Sequence, residues 1–146
     1  MIIKKNGEKH LVAQIGEDGK KVSPKLASGL TNFIIDIDGV VSEDIPNEEP
    51  ERMITAAEIP GAKEKINSWY TEGNIITFFT SRTDDLREVT VNWLKKHGFK
   101  YHNIIFCKPR GGNYHYIDDT GIRATRFTGK FGDFVYEKRD IQVFEP

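Results

Sequence analysis

A chain of 146 residues, 38% hydrophobic and 29% charged, with nine Phe, five Tyr and two Trp, can bury one real core. This excludes a disordered tail and a two-domain enzyme with a separate substrate lobe. Lys and Arg number 21 against 22 Asp and Glu, a formal charge of -1, so no chain-wide field is available to grip a polyanion or a membrane surface. The lone Cys107 excludes an internal disulfide and a multi-cysteine zinc site. No apolar run is long enough to span a bilayer and MIIKKNGEKHLV has no apolar signal core, so the expected location is the cytoplasm, with no membrane partner.

Residues 1–31 read as an appendage: MIIKK, an Asn6-Gly7 type I′ turn signal and KHLVAQI predict a hairpin, followed by turns at GEDGKK and Ser23-Pro24. Such a hairpin covers a sheet edge or makes a homo-oligomer contact. Residues 32–146 form the main domain. FIID at 33–36 is the short apolar run of a buried parallel strand. Residues 42–58, dense in Glu and Asp with Pro46 and Pro50, predict a solvated loop. Pro60 suits the first turn of a helix carrying Ala62, Ile66, Trp69 and Tyr70 on one face and ending at Gly73.

NIITFFT at 74–80 is the second strand. Thr83 is a good N-cap for a second helix, with Asp84 and Asp85 in its first turn, a buried stripe of Leu86, Val89, Trp93 and Leu94, and Gly98 at its end. NIIFC at 103–107 and YHYID at 114–118 predict a third and a fourth strand, and the Gly- and aromatic-rich tail predicts short edge strands. Alternating strands and helices predict an α/β fold, a three-layer Rossmann-like parallel sheet flanked by helices. Its ligands belong at the carboxyl ends of the strands.

At those ends stand Asp36 and Asp38, Thr80, Lys108, and Asp118 with Asp119. Taken singly, each is ordinary: a strand end entering a turn, a helix-initiating threonine, a surface lysine before proline, an Asp-rich turn. Together they carry the parts of phosphoryl transfer. A strand-end Asp can attack phosphorus and a second Asp can protonate the leaving oxygen and later activate water. An ammonium and a hydroxyl can hold phosphoryl oxygens, and clustered carboxylates make the hard oxygen site that Mg²⁺ prefers. The histidines His10, His97, His102 and His115 show no metal-ligand spacing, and Gly111-Gly112 is no dinucleotide fingerprint.

In this order, DIDGV at 36–40, Thr80 in FFTSR, Lys108 in CKPRGG and Asp118-Asp119 in YIDDTGI resemble the four motifs of the haloacid dehalogenase (HAD) superfamily of phosphotransferases, over roughly residues 32–120. The resemblance implies Asp36 as nucleophile, Asp38 as acid/base, Thr80 and Lys108 as catalytic partners, and Mg²⁺ held by the Asp36 carboxylate, the Asp38 carbonyl and Asp118 or Asp119, with Asp119 favoured. An Asp two places after the nucleophile points within the superfamily to phosphatases and mutases. Ser81, Arg82 and Arg110 are candidate substrate binders, a solvated Arg being the ordinary alternative for either arginine.

Superfamily members commonly carry a cap domain between these motifs. Only 44 positions separate Asp36 from Thr80, and 28 separate Thr80 from Lys108, both taken up by a loop and a crossover helix, so a capless member is expected. The segment CKPRGGNYHYIDDTGIRATRF is similar to that of small capless phosphatases of surface-polysaccharide and lipopolysaccharide synthesis, which implies a phosphorylated sugar or sugar acid as substrate. A polynucleotide-end phosphatase is the alternative by resemblance, although the near-neutral charge disfavours nucleic acid. A phosphate-binding or assembly module without catalysis is the alternative from a different class.

Overall fold

A computed structural model describes residues 11–129 and 131 of the chain. Its framework is a parallel sheet in the order β3-β4-β5, formed by Asn32–Ile35, Ile75–Phe79 and Asn103–Ile105. Phe33 lies opposite Ile76 and Phe78 opposite Ile104, which sets the carboxyl ends of all three strands side by side. Among the described residues one face is the covered one, with Ile35, Ile76 and Phe78 buried and Phe33 half-buried, while Ile34 and Ile105 on the other face are exposed.

Helix α2 (Ala62–Thr71) crosses from β3 to β4 and buries Ala62 and Ile66. Trp69 stacks on Phe33 with centroids 4.0 Å apart. The helix starts two positions later than Pro60 suggests. Gly61 takes the N-cap at φ 83°, a conformation open to glycine and costly for other residues, and Pro60 stands before the helix. Crossover α3 (Arg87–Lys96) follows a 3₁₀ turn at Asp84–Leu86. Thr83 sits at the start of that turn, but its hydroxyl bonds Asp85 and caps no helical N–H. The buried side of α3 includes Thr90 between Leu86 and Leu94, while Val89 is only half-buried.

Residues 42–58 depart from the expected solvated loop. Ser42, Ile45, Met53 and Ala56 are buried, and Pro50–Met53 forms a one-turn helix, α1. The segment folds back along the first motif through bridges pairing Ser42 with both Asp38 and Glu58, and the Trp93 indole donates to the Ala56 carbonyl at 3.0 Å. Its acids face outward while sparse apolar residues join the main core beside Ile37, Phe78 and Trp93.

Residues 114–118 form no strand: Tyr114, Tyr116 and Ile117 are exposed, and the parallel sheet among the described residues has three strands. A strand exists only when a neighbour takes its backbone groups, and this segment has alternation without a partner edge. Residues 123–129 likewise contain no edge strand; the rest of the expected edge strands, save Phe131, lies outside the described residues. So do the first strand and Asn6-Gly7 turn of the expected hairpin. The hairpin that is described uses the next turn: β1 (Gln14–Ile15) pairs antiparallel with β2 (Lys21–Val22), closed by a Gly16 N–H to Lys20 carbonyl bond of 2.8 Å. No described helix is long and apolar enough to cross a membrane.

Candidate active site

β3 ends at Ile35 and delivers Asp36 to the rim of the sheet. The Ile37 N–H donates to Asp36 Oδ1 at 2.9 Å, and the Val40, Val41 and Ser42 N–H groups converge on the Ile37 carbonyl. This tight turn reverses the chain at Gly39, whose φ is 84°. Lys108 Nζ lies 3.0 Å from Asp36 Oδ1, with the lysine side chain 11% exposed and the aspartate 41%. Both of these contacts fall on Oδ1, so Oδ2 faces away from them.

The loops after β4 and β5 are laced together by main-chain bonds. Thr80 N–H donates to the Ile105 carbonyl, Lys108 N–H to the Thr80 carbonyl, and Cys107 N–H to the Arg82 carbonyl, each at 2.9 Å. Cys107 reaches this geometry at φ 64°, outside the usual range for a residue with a Cβ. The Lys108 ammonium also lies over two rings, 5.4 Å from the Phe79 centroid and 5.5 Å from that of Tyr114.

Arg82 is where the structure corrects the sequence most. Neither a solvated side chain nor a free substrate binder, it is 2% exposed and fully engaged. Its Nε donates to Asp38 Oδ2 at 2.9 Å, one terminal nitrogen to Asp38 Oδ1 at 2.8 Å and the other to the Thr90 hydroxyl at 2.9 Å. The Thr90 hydroxyl in turn donates to the Leu86 carbonyl at 2.8 Å. A planar guanidinium matches a carboxylate in this two-point fashion and fixes its plane. Asp38, 15% exposed, is therefore oriented by a residue anchored on α3.

Thr80 is fully buried and its hydroxyl accepts the Arg82 N–H at 3.1 Å, so it shapes the loop and does not line the rim. Ser81, half-buried, is the hydroxyl left at the surface there. Asn47 pins residues 42–49 to this loop by donating from Nδ2 to the Ser81 carbonyl at 3.2 Å. Nothing in the sequence marked Asn47. Position 90, by contrast, falls on the helix stripe four residues after Leu86. Arg110 is exposed.

The fourth motif stands apart. Asp118 and Asp119 are exposed on the irregular segment after Lys108, and Asp118 accepts from the Tyr116 hydroxyl at 2.7 Å and from the Thr120 N–H and hydroxyl at 3.1 Å. The Tyr116 bond, then those from Thr120, hold its carboxyl well below the usual carboxylate range, and Asp118 in turn raises the Tyr116 phenol. Among the described residues no three Asp, Glu, His or Cys side chains gather into a group able to hold a metal ion. The expected grouping of Asp36 and Asp38 with Asp118 or Asp119 is thus not assembled, and this donor set does not fit Mg²⁺ as the chain stands.

Residues 33–118 match the family described as PITM 1-3, LNS2 domain, over more than half of the chain and from β3 through Asp118. The chain belongs to the LNS2-domain family. LNS2 domains are of the HAD phosphatase type, so the superfamily resemblance carried by the motifs holds at this level. The LNS2 match takes in Asp36, Asp38, Thr80, Arg82 and Lys108, and ends one residue before Asp119. Elements between the motifs are those of the core alone, α1 and α2 in the first interval and α3 in the second, with no cap.

Among solved structures, the chain is similar to an MCSG target from Vibrio cholerae (21% identity, 64% of this chain and 84% of that one, TM-score 0.47). It is also similar to a chain of the Pnkp1/Rnl/Hen1 complex (18% identity, 70% and 39%, TM-score 0.49). Among curated proteins, it is 29% identical over 109 residues to the Bacteriochlorophyll a protein of Chlorobaculum thiosulfatiphilum, covering 73% of this chain and 30% of that protein. The chain thus spans less than a third of that curated relative's length.

Proposed function

We propose that this chain is a phosphomonoesterase acting through an aspartyl phosphate on Asp36, with a phosphorylated sugar or sugar acid as substrate. The observation that carries the reading is the Lys108 ammonium, delivered after β5, held 3.0 Å from Oδ1 of Asp36, delivered after β3, at the carboxyl end of the sheet where β4 lies between those two strands. That contact leaves Oδ2 to attack and puts a positive charge where phosphoryl oxygens arrive.

In the first half-reaction Asp36 Oδ2 forms a bond to phosphorus while the bond from phosphorus to the leaving oxygen breaks, and that oxygen takes the proton of the phosphomonoester monoanion, relayed through the Asp38 carboxylate that Arg82 holds. In the second, Asp38 accepts a proton from water as the water oxygen attacks phosphorus, releasing phosphate and restoring Asp36. Each carboxylate oxygen has two lone-pair directions, so the Arg82 fork fixes the plane of Asp38 and leaves its outer lone pairs for the proton. Arg82 is a positioning residue, and Ser81 meets a phosphoryl oxygen in place of buried Thr80.

HAD-superfamily phosphatases generally use Mg²⁺. With the acids apart as described, every step above is assigned to the chain's own groups.

The test is phosphate release from a panel of phosphomonoesters in the presence of Mg²⁺. The reading expects turnover that Asp36→Asn abolishes. Absence of turnover across the panel, with phosphate still bound, would instead make the chain a binding module. Turnover confined to 3′-phosphorylated oligonucleotides and falling steeply with salt would overturn the sugar assignment.

A further inference from the structure

The Lys108 ammonium lies over a ring that more than half faces solvent. Tyr114 is 57% exposed, yet it is held at both ends: its hydroxyl donates to the Pro109 carbonyl, and its ring centroid lies 5.5 Å from Lys108 Nζ. A phosphoryl oxygen paired with Lys108 would sit about 2.8 Å from Nζ, hence no more than about 8 Å from the ring centroid. Beyond phosphorus, that distance is occupied by the first ring of the leaving group. A tyrosine serves such a contact well, because its large amphipathic surface is presented with few torsions to freeze. Exposed aromatics in a folded core are otherwise ordinary; this one differs in flanking the lysine of the site.

We propose that Tyr114 is a specificity-determining residue that stacks on a ring in the leaving group, so that phosphomonoesters carrying a pyranose or a nucleoside ring are favoured over acyclic ones. The inference rests on the phosphatase reading and adds to it a substrate chemistry, an apolar ring face one group away from the phosphate. It also explains how a site without a cap selects: the wall comes from the segment that follows the third motif, rooted beside Lys108.

The experiment compares kcat/KM for glucose 6-phosphate and a nucleoside 3′-monophosphate with that for glycerol 3-phosphate. Wild type is expected to favour at least one ring ester by about ten-fold, the size of a single stacking contact. Tyr114→Ala should bring that ratio close to one, and Tyr114→Phe should keep it within about two-fold. Which ring ester is favoured separates sugar from nucleoside. If Tyr114 serves only to seat Lys108, all three substrates fall together in Tyr114→Ala and the ratio stays, which overturns the proposal.

The same ratio is read as dissociation constants by calorimetry on Asp36→Asn and on Asp36→Asn/Tyr114→Ala. Should wild type turn nothing over while this binding ratio still collapses without Tyr114, the phosphatase reading fails and the ring contact stands. An unchanged binding ratio refutes the ring contact.

Discussion

Replacing Arg82 by Ala removes three charge-assisted or neutral hydrogen bonds at once, two to Asp38 and one to Thr90, from a position only 2% exposed. Breaking a buried ion pair on one side costs about 3–5 kcal/mol, because the partner charge is left unpaired. Asp38 is 15% exposed and can recover some solvent, which places the expected loss near the lower end, about 3 kcal/mol. With a urea m-value of roughly 2 kcal/mol/M for a domain of this size, the unfolding midpoint should fall by about 1.5 M. In Arg82→Met/Asp38→Asn no charge is left unpaired, so it should be clearly more stable than the sum of the two single variants implies, with a coupling of about 1–3 kcal/mol. Arg82→Lys keeps a charge and loses the fork; it should lower kcat by about 10²-fold while KM moves only a few-fold, as expected when a proton-transfer group loses its orientation. A midpoint for Arg82→Ala within about 0.5 M of wild type, together with unchanged kcat in Arg82→Lys, would refute the claim that Arg82 orients Asp38.

Two further outcomes are expected. Glu58 and His97 lie 2.7 Å apart, joining residues 42–58 to the end of α3, and the His97 bond, with help from Lys63, lowers the Glu58 carboxyl below its ordinary 4.5 against the opposing effect of burial. A depressed carboxylate stabilises the fold above its unfolded pKa and stops doing so as pH falls through the folded one. The midpoint difference between wild type and His97→Gln should therefore be present at pH 6 and shrink on titration below about 4.5; a difference that stays constant down to pH 3 would contradict the contact. For the cation, calorimetric titration of the phosphate-free protein with Mg²⁺ should show no tight stoichiometric site. A tight site abolished by Asp119→Asn would show instead that the fourth motif gathers with Asp36.

The strand ends were legible because they are local. Apolar runs around Phe33, Ile76 and Ile104 stop at Asp36, Thr80 and Lys108, and a parallel sheet brings such stops to one rim whatever the details. Arg82 was not legible, because its partner lies 44 positions away and only the register of β3 on β4 brings them together. Ile45, Met53 and Ala56 follow no helix or strand period, so a segment dominated by acids read as solvent while its few apolar residues were filling the core. Residues 114–118 failed in the opposite direction. Their alternation has the form of a strand, but pairing is a non-local property that the pattern alone cannot supply. Tyr114, read as one position of that strand, is instead the ring beside Lys108.

The most direct test of the account is acid-quenched reaction of the protein with a radiolabelled phosphomonoester, followed by peptide mapping. Wild type should carry acid-stable, base-labile label on the peptide containing Asp36, absent in Asp36→Asn, and with an aryl phosphate, whose leaving oxygen needs no proton, the label should accumulate when Asp38→Asn slows hydrolysis of the intermediate. Turnover without label on that peptide, or label that survives Asp36→Asn, would contradict it.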